Sequence, residues 1–404
     1  MISEEESYRN QSKSVLIIVE NLPVPFDRRV WQEATALAEA GYTVSVICPK
    51  AKDCTESYEE IAGIHIYRHP LPLEANGALG YLLEYLAALF WEFALSWRVL
   101  RRHGFDVVHA CNPPDLLFLI GWFYKTFLGK KFLFDHHDIN PELYEAKFGK
   151  RGVFYRLLGF FERQTFRCAD VSLATNDTFK AIAVERGGMS PERVWVVKSY
   201  PDLKRFHRVR PDPSLRCGRR YLLGYVGIIA AQDGVDLLLR AMAHIVKDQR
   251  REDVHCLVVG DGPELANLVA LAEKLDIEAY VTFTGYLTGT DLLSHLCSVD
   301  IGVIPDPYNA YNDKISMNKV FEYMALGIPF VQFDLAESRL AAGEAALTAR
   351  DHTAAGLGAA ILELVEDPDK RQAMSAYGVA HAEKDFRWDK EKTKLLSAYE
   401  ALLE

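Results

Sequence analysis

The sequence predicts an α/β protein built from two doubly wound, Rossmann-like domains, and three observations carry this prediction. A chain of 404 residues exceeds the size at which one hydrophobic core keeps growing. Short β-branched apolar runs alternate with helix-like stretches along the chain, which is typical of parallel sheets covered by helices. A stretch near the middle, with three prolines between Pro201 and Pro213, separates two such series.

The first series begins with an apolar run, a proline-containing loop and a helix-like stretch that ends at Gly41. Further apolar runs follow, with helical stretches between most of them. The predicted strands cover residues 15–19, 43–48, 63–67, 106–110, 131–135 and 171–174. We therefore place a first domain at residues 1–203.

The second series has the same character and forms a second α/β domain. Its predicted strands cover residues 221–227, 254–260, 280–284, 301–305 and 329–333, and its predicted helices cover 234–247, 264–275 and 319–326. Ligands of open α/β sheets bind outside the carboxyl ends of the strands. A site that draws on both domains is therefore expected.

Composition limits the classes of function. A hydrophobic content of 49% with 25% charged residues is ordinary for a folded soluble chain, and a net charge of -10 argues against nucleic acid as a partner. The seven cysteines contain no CxxC pair, so neither a disulfide framework nor a zinc site is predicted. The acidic first ten residues lack the features of a secretory signal, which predicts a cytoplasmic protein.

One region is locally basic, with 12 Lys or Arg against 7 Asp or Glu between Arg98 and Arg167. It follows a long apolar segment, 79–100, whose Glu84 and Glu92 argue against a transmembrane span. This segment is either a helix buried against the sheet or an interfacial helix near anionic lipid. In the second case the lipid would be approached by Arg98, Arg101, Arg102, Lys125, Lys130 and Lys131.

The strongest local motif is SMNKVFEYMALGIPFV, residues 316–331, in which Ser316 caps a helix, Gly327 ends it and a buried strand follows. The free N–H groups of the first turn form an anion site, and Lys319 adds a positive charge suited to a diphosphate. Glu322 shares a face with Lys319 and is placed to accept hydrogen bonds from sugar or ribose hydroxyls. The alternative is an ordinary capped helix with an internal Lys–Glu pair.

A second polar cluster, Asp135-His136-His137-Asp138, follows a predicted strand of the first domain, where active sites of open sheets gather. Imidazole and carboxylate are also good metal ligands. Neighbouring strand residues point to opposite faces, however, so no metal site is expected. Asn112 follows another strand and either lines the acceptor side of the site or forms a plain turn.

These segments resemble the glycosyltransferases of family four, which have the GT-B fold. Four segments resemble the family's donor domain: residues 316–331, 260–264 (GDGPE), 283–286 (FTGY) and 299–305 (VDIGVIP). Residues 27–31 (DRRVW) and 135–142 (DHHDINPE) resemble the family's N-terminal half. Residues 386–388 (FRW) resemble the start of the helix with which the family's chain crosses back to the first domain. The resemblance spans nearly the whole chain, and the members that the chain resembles are those of bacterial exopolysaccharide or surface-glycan assembly.

The resemblance implies two domains that face a central cleft. Residues 1–203 would bind the acceptor, 204–383 the nucleotide sugar, and 384–404 would form a helix that crosses back. It implies retaining transfer of a sugar from a UDP- or GDP-sugar to a glycan or polyprenyl-linked hydroxyl, without cofactor or metal. The expected location is cytoplasmic, with the inner face of the plasma membrane as a peripheral site.

The resemblance also assigns residue roles. His137 would contact the transferring sugar with Asp138 orienting it, and Glu322 would act beside them in catalysis. The donor-binding set is Gly227, Lys198, Gly260, Gly262, Ser316, Asn318, Lys319 and Glu322. The acceptor or phosphate side is assigned to Arg28, Arg29, Asn112 and His136.

The chain departs from the family pattern at three positions. The first glutamate of the family's acidic pair is replaced by Lys314, for which Asn312 or Asp313 are the candidate substitutes. The Arg and Lys that neutralise the diphosphate are replaced by Ile228 and Asp233. Either Lys198, Lys314 and Lys319 take over this charge, or donor affinity is weak, or the chain is an inactive, non-catalytic partner subunit. A nucleotide-sugar epimerase, which can share the same two-domain architecture, is a separate alternative.

Overall fold

A computed structural model describes residues 13–51, 54–70 and 77–404, with backbone only for 77–85. The described chain divides into two compact units. The first unit takes the chain as far as Glu145, then Lys150–Lys198 and Asp389–Glu404, and the second takes Ala146–Gly149 and Ser199–Trp388. The division falls a few residues before the boundary predicted at 203. The first ten residues, and with them the prediction about a signal, lie outside the described chain.

The first unit is built on an eight-stranded sheet in the order β3-β4-β2-β1-β5-β6-β7-β8. Only the β3–β4 pair is antiparallel. Edge strands β3 and β8 were not predicted from sequence, because β3 is the half-exposed YEEI and β8 has 3 residues. The strands are β1 (Ser14–Val19), β2 (Thr43–Pro49), β3 (Tyr58–Ile61), β4 (Ile64–His69), β5 (Val107–Cys111), β6 (Lys131–His136), β7 (Val171–Ala174) and β8 (Val194–Val196).

Helices cover both faces of this sheet, so its central strands β5 and β6 are buried except at Lys131, the first residue of β6. The last helix of the chain, α14, also belongs to the first unit from Asp389 onward. The helices of the first unit are α1 (Arg28–Glu39), α2 (Gly77–Arg102), α3 (Phe118–Leu128), α4 (Asn140–Phe148), α5 (Val153–Cys168), α6 (Asp177–Glu185) and α14 (Trp388–Leu403).

The second unit has a fully parallel six-stranded sheet in the order β11-β10-β9-β12-β13-β14. Its strands are β9 (Tyr221–Val226), β10 (Val254–Val259), β11 (Val281–Gly285), β12 (Ile301–Ile304), β13 (Phe330–Gln332) and β14 (Ala346–Thr348). Its helices are α7 (Val235–Ala243), α8 (Leu265–Lys274), α9 (Gly289–Cys297), α10 (Asn318–Ala325), α11 (Ala336–Ala342), α12 (Ala354–Glu366) and α13 (Pro368–Asp385).

Both sheets have a topological switch point, where the chain reverses the direction in which it adds strands. In the first sheet β1 lies between β2 and β5, and in the second β9 lies between β10 and β12. Loops at the carboxyl ends of the two strands at a switch point turn away from each other and leave a crevice there. The candidate site residues follow β5 and β6 in the first unit and β9, β10 and β12 in the second.

The long apolar segment forms α2, whose described side chains, from Leu86 onward, are buried on one side of the helix only. Glu92 is fully buried, and burial together with nearby Glu20 raises the pKa of Glu92 well above its ordinary value. Phe90 and Trp91 are exposed, 68% and 42%. The helix is therefore buried on the side of Glu92, and an approach of its other side to lipid stays a prediction, while the side chain of Glu84 lies outside the described part. Within the described residues, no helix is long and apolar enough to cross a bilayer.

Candidate active site

In the first unit, Asp135 and His137 meet beyond the end of β6. The Nε2 atom of His137 is in short hydrogen-bond contact with Oδ2 of the fully buried Asp135. His137 itself is partly exposed. The carboxylate that holds the imidazole is therefore that of Asp135, two residues earlier, and an orienting role for Asp138 stays a prediction.

Arg29 from α1 fixes Asp135. Its Nε and Nη2 atoms donate to the two carboxylate oxygens at 2.9 and 2.7 Å, and Nη1 donates to the carbonyl of Val197 at 2.6 Å. Such a bidentate pair uses the whole guanidinium fork. Arg29 is consequently not available to a phosphate, which corrects its assignment to the acceptor or phosphate side. Arg28 is exposed, and its assignment stays a prediction.

This pair controls the protonation of its neighbours. Burial by itself would raise the pKa of Asp135, but Arg29 and His137 hold it well below the ordinary value. Burial and the charge of Asp135 raise the pKa of Glu33 well above its usual range, although Arg29 lies 3.2 Å away. The surroundings therefore shift the pKa values of these two neighbouring carboxyl groups in opposite directions, down for Asp135 and up for Glu33.

His109 and Tyr399 complete the buried cluster around Asp135, and neither was predicted from sequence. Nδ1 of His109 contacts the Tyr399 hydroxyl at 2.7 Å, and burial lowers the pKa of His109. Tyr399 lies on α14, so the last helix packs directly under the first unit's candidate site. His109 and Cys111 are two residues apart on β5 and so point to the same face of the sheet, but nothing in the sequence distinguishes His109 from a core residue.

A metal does not fit this cluster. Within the described residues, possible ligand atoms of His109, Cys111 and Asp135 lie within 4.8 Å of one another. Both oxygens of Asp135 are already bound by Arg29, whose positive charge opposes a cation. Burial, with Asp135 adding to it, also raises the pKa of the Cys111 thiol well above its ordinary value, which disfavours the thiolate that a metal requires.

Asn112 positions the loop that carries His137. Its side-chain oxygen accepts the backbone N–H groups of His137 and Asp138 at 2.7 and 3.1 Å. Its amide donates to the carbonyl of Asp138 at 2.6 Å and to Oδ1 of Asp115 at 2.9 Å. Asn112 thus acts within the site by holding this loop. Direct contact with an acceptor stays a prediction.

His136 points away from this cluster, as alternation along a strand requires. It is fully buried between the rings of Phe134, Phe166 and Phe179, and burial lowers its pKa to about 3. Its assignment to the acceptor or phosphate side is therefore wrong. It is a neutral core histidine on the opposite face of the sheet.

In the second unit, the loops after β9 and β10 pack backbone against backbone. A Cβ atom at Gly260 would lie 1.9 Å from the carbonyl oxygen of Gly227, and one at Gly262 would lie 2.3 Å from that of Ile229. The N–H of Ile229 donates to the carbonyl of Asp261 at 3.0 Å. The predicted glycines Gly227, Gly260 and Gly262 therefore come together because only glycine permits this approach at the carboxyl edge of the sheet.

The predicted anion-binding helix is α10. It starts at Asn318 with Met317 at the N-cap and no side-chain cap bond, so the prediction that Ser316 caps it is wrong. Gly327, with φ +61°, follows its last residues as predicted. Lys319 and Glu322 are both buried on this helix, 9% and 3% exposed, and Asn318 is exposed at its first turn.

Lys319 is engaged by carboxylates. Its Nζ donates to both oxygens of the buried Asp306, at 3.0 and 2.7 Å, and lies 3.8 Å from Asp233. Burial alone would lower the pKa of Lys319, but these two carboxylates raise it. Two carboxylates thus neutralise Lys319 within the second unit, and its role at a diphosphate stays a prediction. Asp306, two residues after the end of β12, was not predicted to take part.

The loop between β12 and α10 is held by its own polar side chains. Asn312 is buried and donates to the carbonyls of Gln232 and Pro307 at 3.0 and 2.9 Å. Asp313 accepts the N–H of Ala336 at the start of α11, at 2.7 Å. Both candidates for the missing sugar contact therefore have structural partners, and Lys314 is half-buried beside them.

Lys198 lies in the first unit, two residues after the end of β8, although it was predicted among the donor-binding residues. Its backbone N–H donates to the carboxylate of Glu391 on α14 at 2.8 Å. A role for its ammonium group stays a prediction.

Asp233 should make donor binding depend on pH. Burial raises the pKa of Asp233 to about 6, against the effect of Lys319. When the pH falls from 7.5 to 5.5, Asp233 gains a proton and a negative charge leaves the surroundings of Lys319. We expect binding of a nucleotide sugar to tighten about threefold to tenfold, which is roughly 1 kcal/mol of relieved repulsion.

A nucleotide sugar is the right probe, because its doubly esterified diphosphate has no phosphate pKa near 6. The matched variant is Asp233→Asn, which should bind at pH 7.5 as the wild type does at pH 5.5 and should lose the pH dependence. An unchanged pH dependence in Asp233→Asn, measured by calorimetry, would show that another group is responsible.

Two Rossmann-like units, with polar side chains at the switch point of the first and closely packed glycine loops at that of the second, define a two-domain α/β protein with a candidate site in each unit. Family models give the particular class. Residues 27–199 match the glycosyl transferase 4-like domain, and residues 220–367 match glycosyl transferases group 1. The chain belongs to the family-four glycosyltransferases and has the GT-B fold.

Similar known proteins are also glycosyltransferases. D-inositol 3-phosphate glycosyltransferase of Salinispora tropica is 26% identical over 395 residues, which cover 92% of this chain and 79% of that protein. GDP-mannose-dependent alpha-(1-6)-phosphatidylinositol monomannoside mannosyltransferase of Mycobacterium tuberculosis is 30% identical over 201 residues, 46% of this chain and 51% of that protein. The structure of HepE from Anabaena with UDP-glucose shares the fold, with a TM-score of 0.69, 16% identity and coverage of 96% and 100%.

Proposed function

We propose that this glycosyltransferase moves a sugar from a UDP- or GDP-sugar, held by the second unit, to a hydroxyl acceptor held by the first. The observation that carries the donor proposal is the backbone-to-backbone packing of the glycine loops after β9 and β10, in the same unit as α10, which bears Glu322. The similar mycobacterial enzyme is named for its dependence on GDP-mannose, and HepE was solved with UDP-glucose. Both support a nucleoside diphosphate sugar as donor.

The donor's diphosphate would lie against the N-terminal turn of α10, whose free N–H groups favour an anion. Lys319 then exchanges part of its contact with Asp306 for the diphosphate, so that the positive charge reaches the leaving group only when donor is bound. Glu322 accepts hydrogen bonds from hydroxyls of the donor. Preorganised groups of this kind stabilise the charge that develops on the leaving phosphate.

The bond changes of the proposed reaction are simple. The acceptor oxygen forms a bond to the anomeric carbon, while the bond from that carbon to the diphosphate oxygen breaks and its electron pair leaves with the nucleoside diphosphate. The acceptor proton passes to the departing phosphate on the same face of the sugar, so configuration is retained. His137, held by Asp135, would contact the transferring sugar during this step. The proposal includes no cofactor and no metal.

The acceptor is proposed to be a glycan on a lipid carrier, in the assembly of a bacterial exopolysaccharide or surface glycan. The mycobacterial relative is named for a phosphatidylinositol monomannoside, which is a lipid-linked glycan. The exposed aromatic residues Phe90 and Trp91 on α2 also suit a protein that works at a membrane surface. We therefore propose a cytoplasmic protein that binds peripherally to the inner face of the plasma membrane.

Product analysis tests this function. The purified chain would be incubated with UDP-, GDP- and ADP-sugars, with and without a bacterial lipid extract, and the products separated by mass spectrometry. We expect one nucleoside diphosphate to be released and one lipid to gain a hexose, whose anomeric configuration NMR would show to be that of the donor. Interconversion of free nucleotide sugars, or no turnover of any donor, would contradict the proposal.

A further inference from the structure

The outward face of α5 combines apolar and basic side chains. Its exposed apolar residues are Val153, Phe154, Leu157 and Phe160, of which Val153 is 80% and Phe160 50% exposed. Its exposed charged residues are Arg156, Arg163 and Arg167. The acidic residue of this helix, Glu162, is buried and pairs with Arg186 on the inner side. The exposed face therefore carries positive charge only.

The neighbouring helices continue this surface. Leu119, Trp122 and Phe127 on α3 are 40%, 49% and 64% exposed. On the inner side, α3 packs against α5, and α3 contacts α2 through the Phe93–Phe123 ring pair. The three helices thus form one layer. Its outward face, which we call the aromatic-basic face, consists of the exposed side chains of α2, α3 and α5.

A groove lies between α3 and α5 on this face. It has a volume of about 380 Å³ and is lined by Phe118, Leu119, Trp122, Gln164, Arg167 and Cys168. The lining is apolar along α3, and a guanidinium stands at the α5 side. The groove therefore has an apolar wall along α3 and a positively charged side chain at its edge on α5.

The charge of the aromatic-basic face indicates its partner. No acidic side chain is exposed on α3, on α5 or on the described side chains of α2. Arg98, Arg101 and Arg102 are exposed on α2, and none of the three arginines of α5 is paired with a carboxylate in the described chain. A contiguous surface of Trp, Phe and Leu among unpaired arginines matches the interface of an anionic bilayer, where aromatic rings enter the headgroup region and guanidinium groups meet lipid phosphate.

Two of the lysines first expected to meet lipid are used otherwise. Lys125 donates to Asp170 at 2.7 Å, and Lys130 lies 3.7 Å from Asp106. Their charge is partly neutralised within the protein. The basic charge of the face comes instead from the arginines of α2 and α5, which moves its centre toward the groove.

We propose that the aromatic-basic face docks the first unit onto an anionic bilayer, with Trp122 and Phe160 inserted among the headgroups and Arg163 and Arg167 on lipid phosphates. The inference rests on the proposed function in one respect, since a lipid-linked acceptor explains why an enzyme of this class would need the contact. The face adjoins the candidate site: α3 begins just after Asp115, whose side chain accepts a hydrogen bond from Asn112. A headgroup carried by the bilayer would therefore reach the loop that holds His137.

Vesicle co-sedimentation with the full chain tests this proposal. Vesicles of phosphatidylcholine alone would be compared with vesicles of phosphatidylcholine and phosphatidylglycerol, at low and high salt. We expect binding to the anionic vesicles that weakens with salt, and weak binding to the neutral ones. Leu157→Glu with Phe160→Glu, and separately Arg163→Glu with Arg167→Glu, should each reduce partition into anionic vesicles at least about tenfold.

The matched controls lie in the second unit. Leu340→Glu removes a similarly exposed leucine, 78% exposed, and Lys274→Glu reverses an exposed positive charge. Both controls should bind vesicles as the wild type does. Nucleotide affinity is measured on every variant, because it reports the proposed donor site independently of the membrane. Retained nucleotide binding with lost vesicle binding is the expected pattern for the two face variants.

Three results would overturn the proposal. In the first, the wild type binds nucleotide but not anionic vesicles. In the second, the face variants and the controls bind vesicles equally well. In the third, the wild type sediments as a dimer that the Leu157→Glu, Phe160→Glu variant converts to a monomer without changing vesicle binding, which would assign the face to a second copy of the chain.

Discussion

Replacing His137 by alanine is expected to lower kcat for sugar transfer by about a hundredfold or more, with little change in nucleotide affinity. The imidazole is partly exposed beyond β6 and is held by Asp135, which Arg29 fixes from below. Loss of a group that contacts the transferring sugar removes stabilisation of the transition state but leaves the second unit's donor contacts intact. Steady-state kinetics with the identified donor, together with calorimetric titration of the nucleotide, measures both quantities.

Two carboxylate variants refine this expectation. Asp135→Asn should lower kcat by a similar factor, whereas Asp138→Asn should lower it much less, because Asp135 is the residue in contact with the imidazole. His295→Ala on α9 is the control for a surface histidine and should be neutral. Far-UV circular dichroism identifies any variant that has lost its fold. A His137→Ala enzyme with wild-type kcat would remove His137 from the reaction.

Replacing Glu322 by glutamine is expected to lower kcat/KM about 10- to 100-fold, the value of one or two hydrogen bonds to a charged group. Glu322 is buried on α10, one turn from Lys319, where its carboxylate is shielded from water. The amide keeps the size of the side chain and loses the charge, so the effect should fall on binding and on transfer together. Initial rates at varied donor concentration measure it.

The control for Glu322 is Glu273→Gln on the exposed side of α8, which should leave kcat/KM unchanged. An equal and small effect in both variants would mean that the carboxylate of Glu322 is only part of the core of the second unit. A loss confined to thermal stability in Glu322→Gln would lead to the same conclusion.

Much of the fold could be predicted because it rests on local patterns. Buried parallel strands such as β1 and β10 are continuous apolar runs, and the positions of both series follow from their alternation with helices. The strands that were not predicted, β3, β8 and β14, are edge strands that are short or half-exposed, so neither hydrophobicity nor alternation marks them. Their pairing depends on neighbours that are distant in sequence.

The candidate site could be predicted where it depends on backbone and only partly where it depends on side-chain partners. The helix that carries Glu322 forms where it was predicted, and the glycines at 227, 260 and 262 lie in loops just after strands, because glycine and helix patterns are local; their contact with a donor stays a prediction. The partners of His137 and Lys319 were not predicted, since Asp135 and Asp306 become distinguishable only through contacts with Arg29 and with α10. Arg29 in particular looks like a surface arginine in the sequence, but in the structure it is buried and its guanidinium group binds both oxygens of Asp135.

Calorimetric titration of the full chain with UDP, GDP and ADP is the most direct test of the central claim that the second unit is a nucleotide-sugar site. We expect one of the three to bind, with affinity that weakens in Lys319→Ala and Glu322→Ala but not in Glu273→Gln. No measurable binding of any nucleotide would contradict the claim and would leave a GT-B protein that acts through a partner rather than as a transferase.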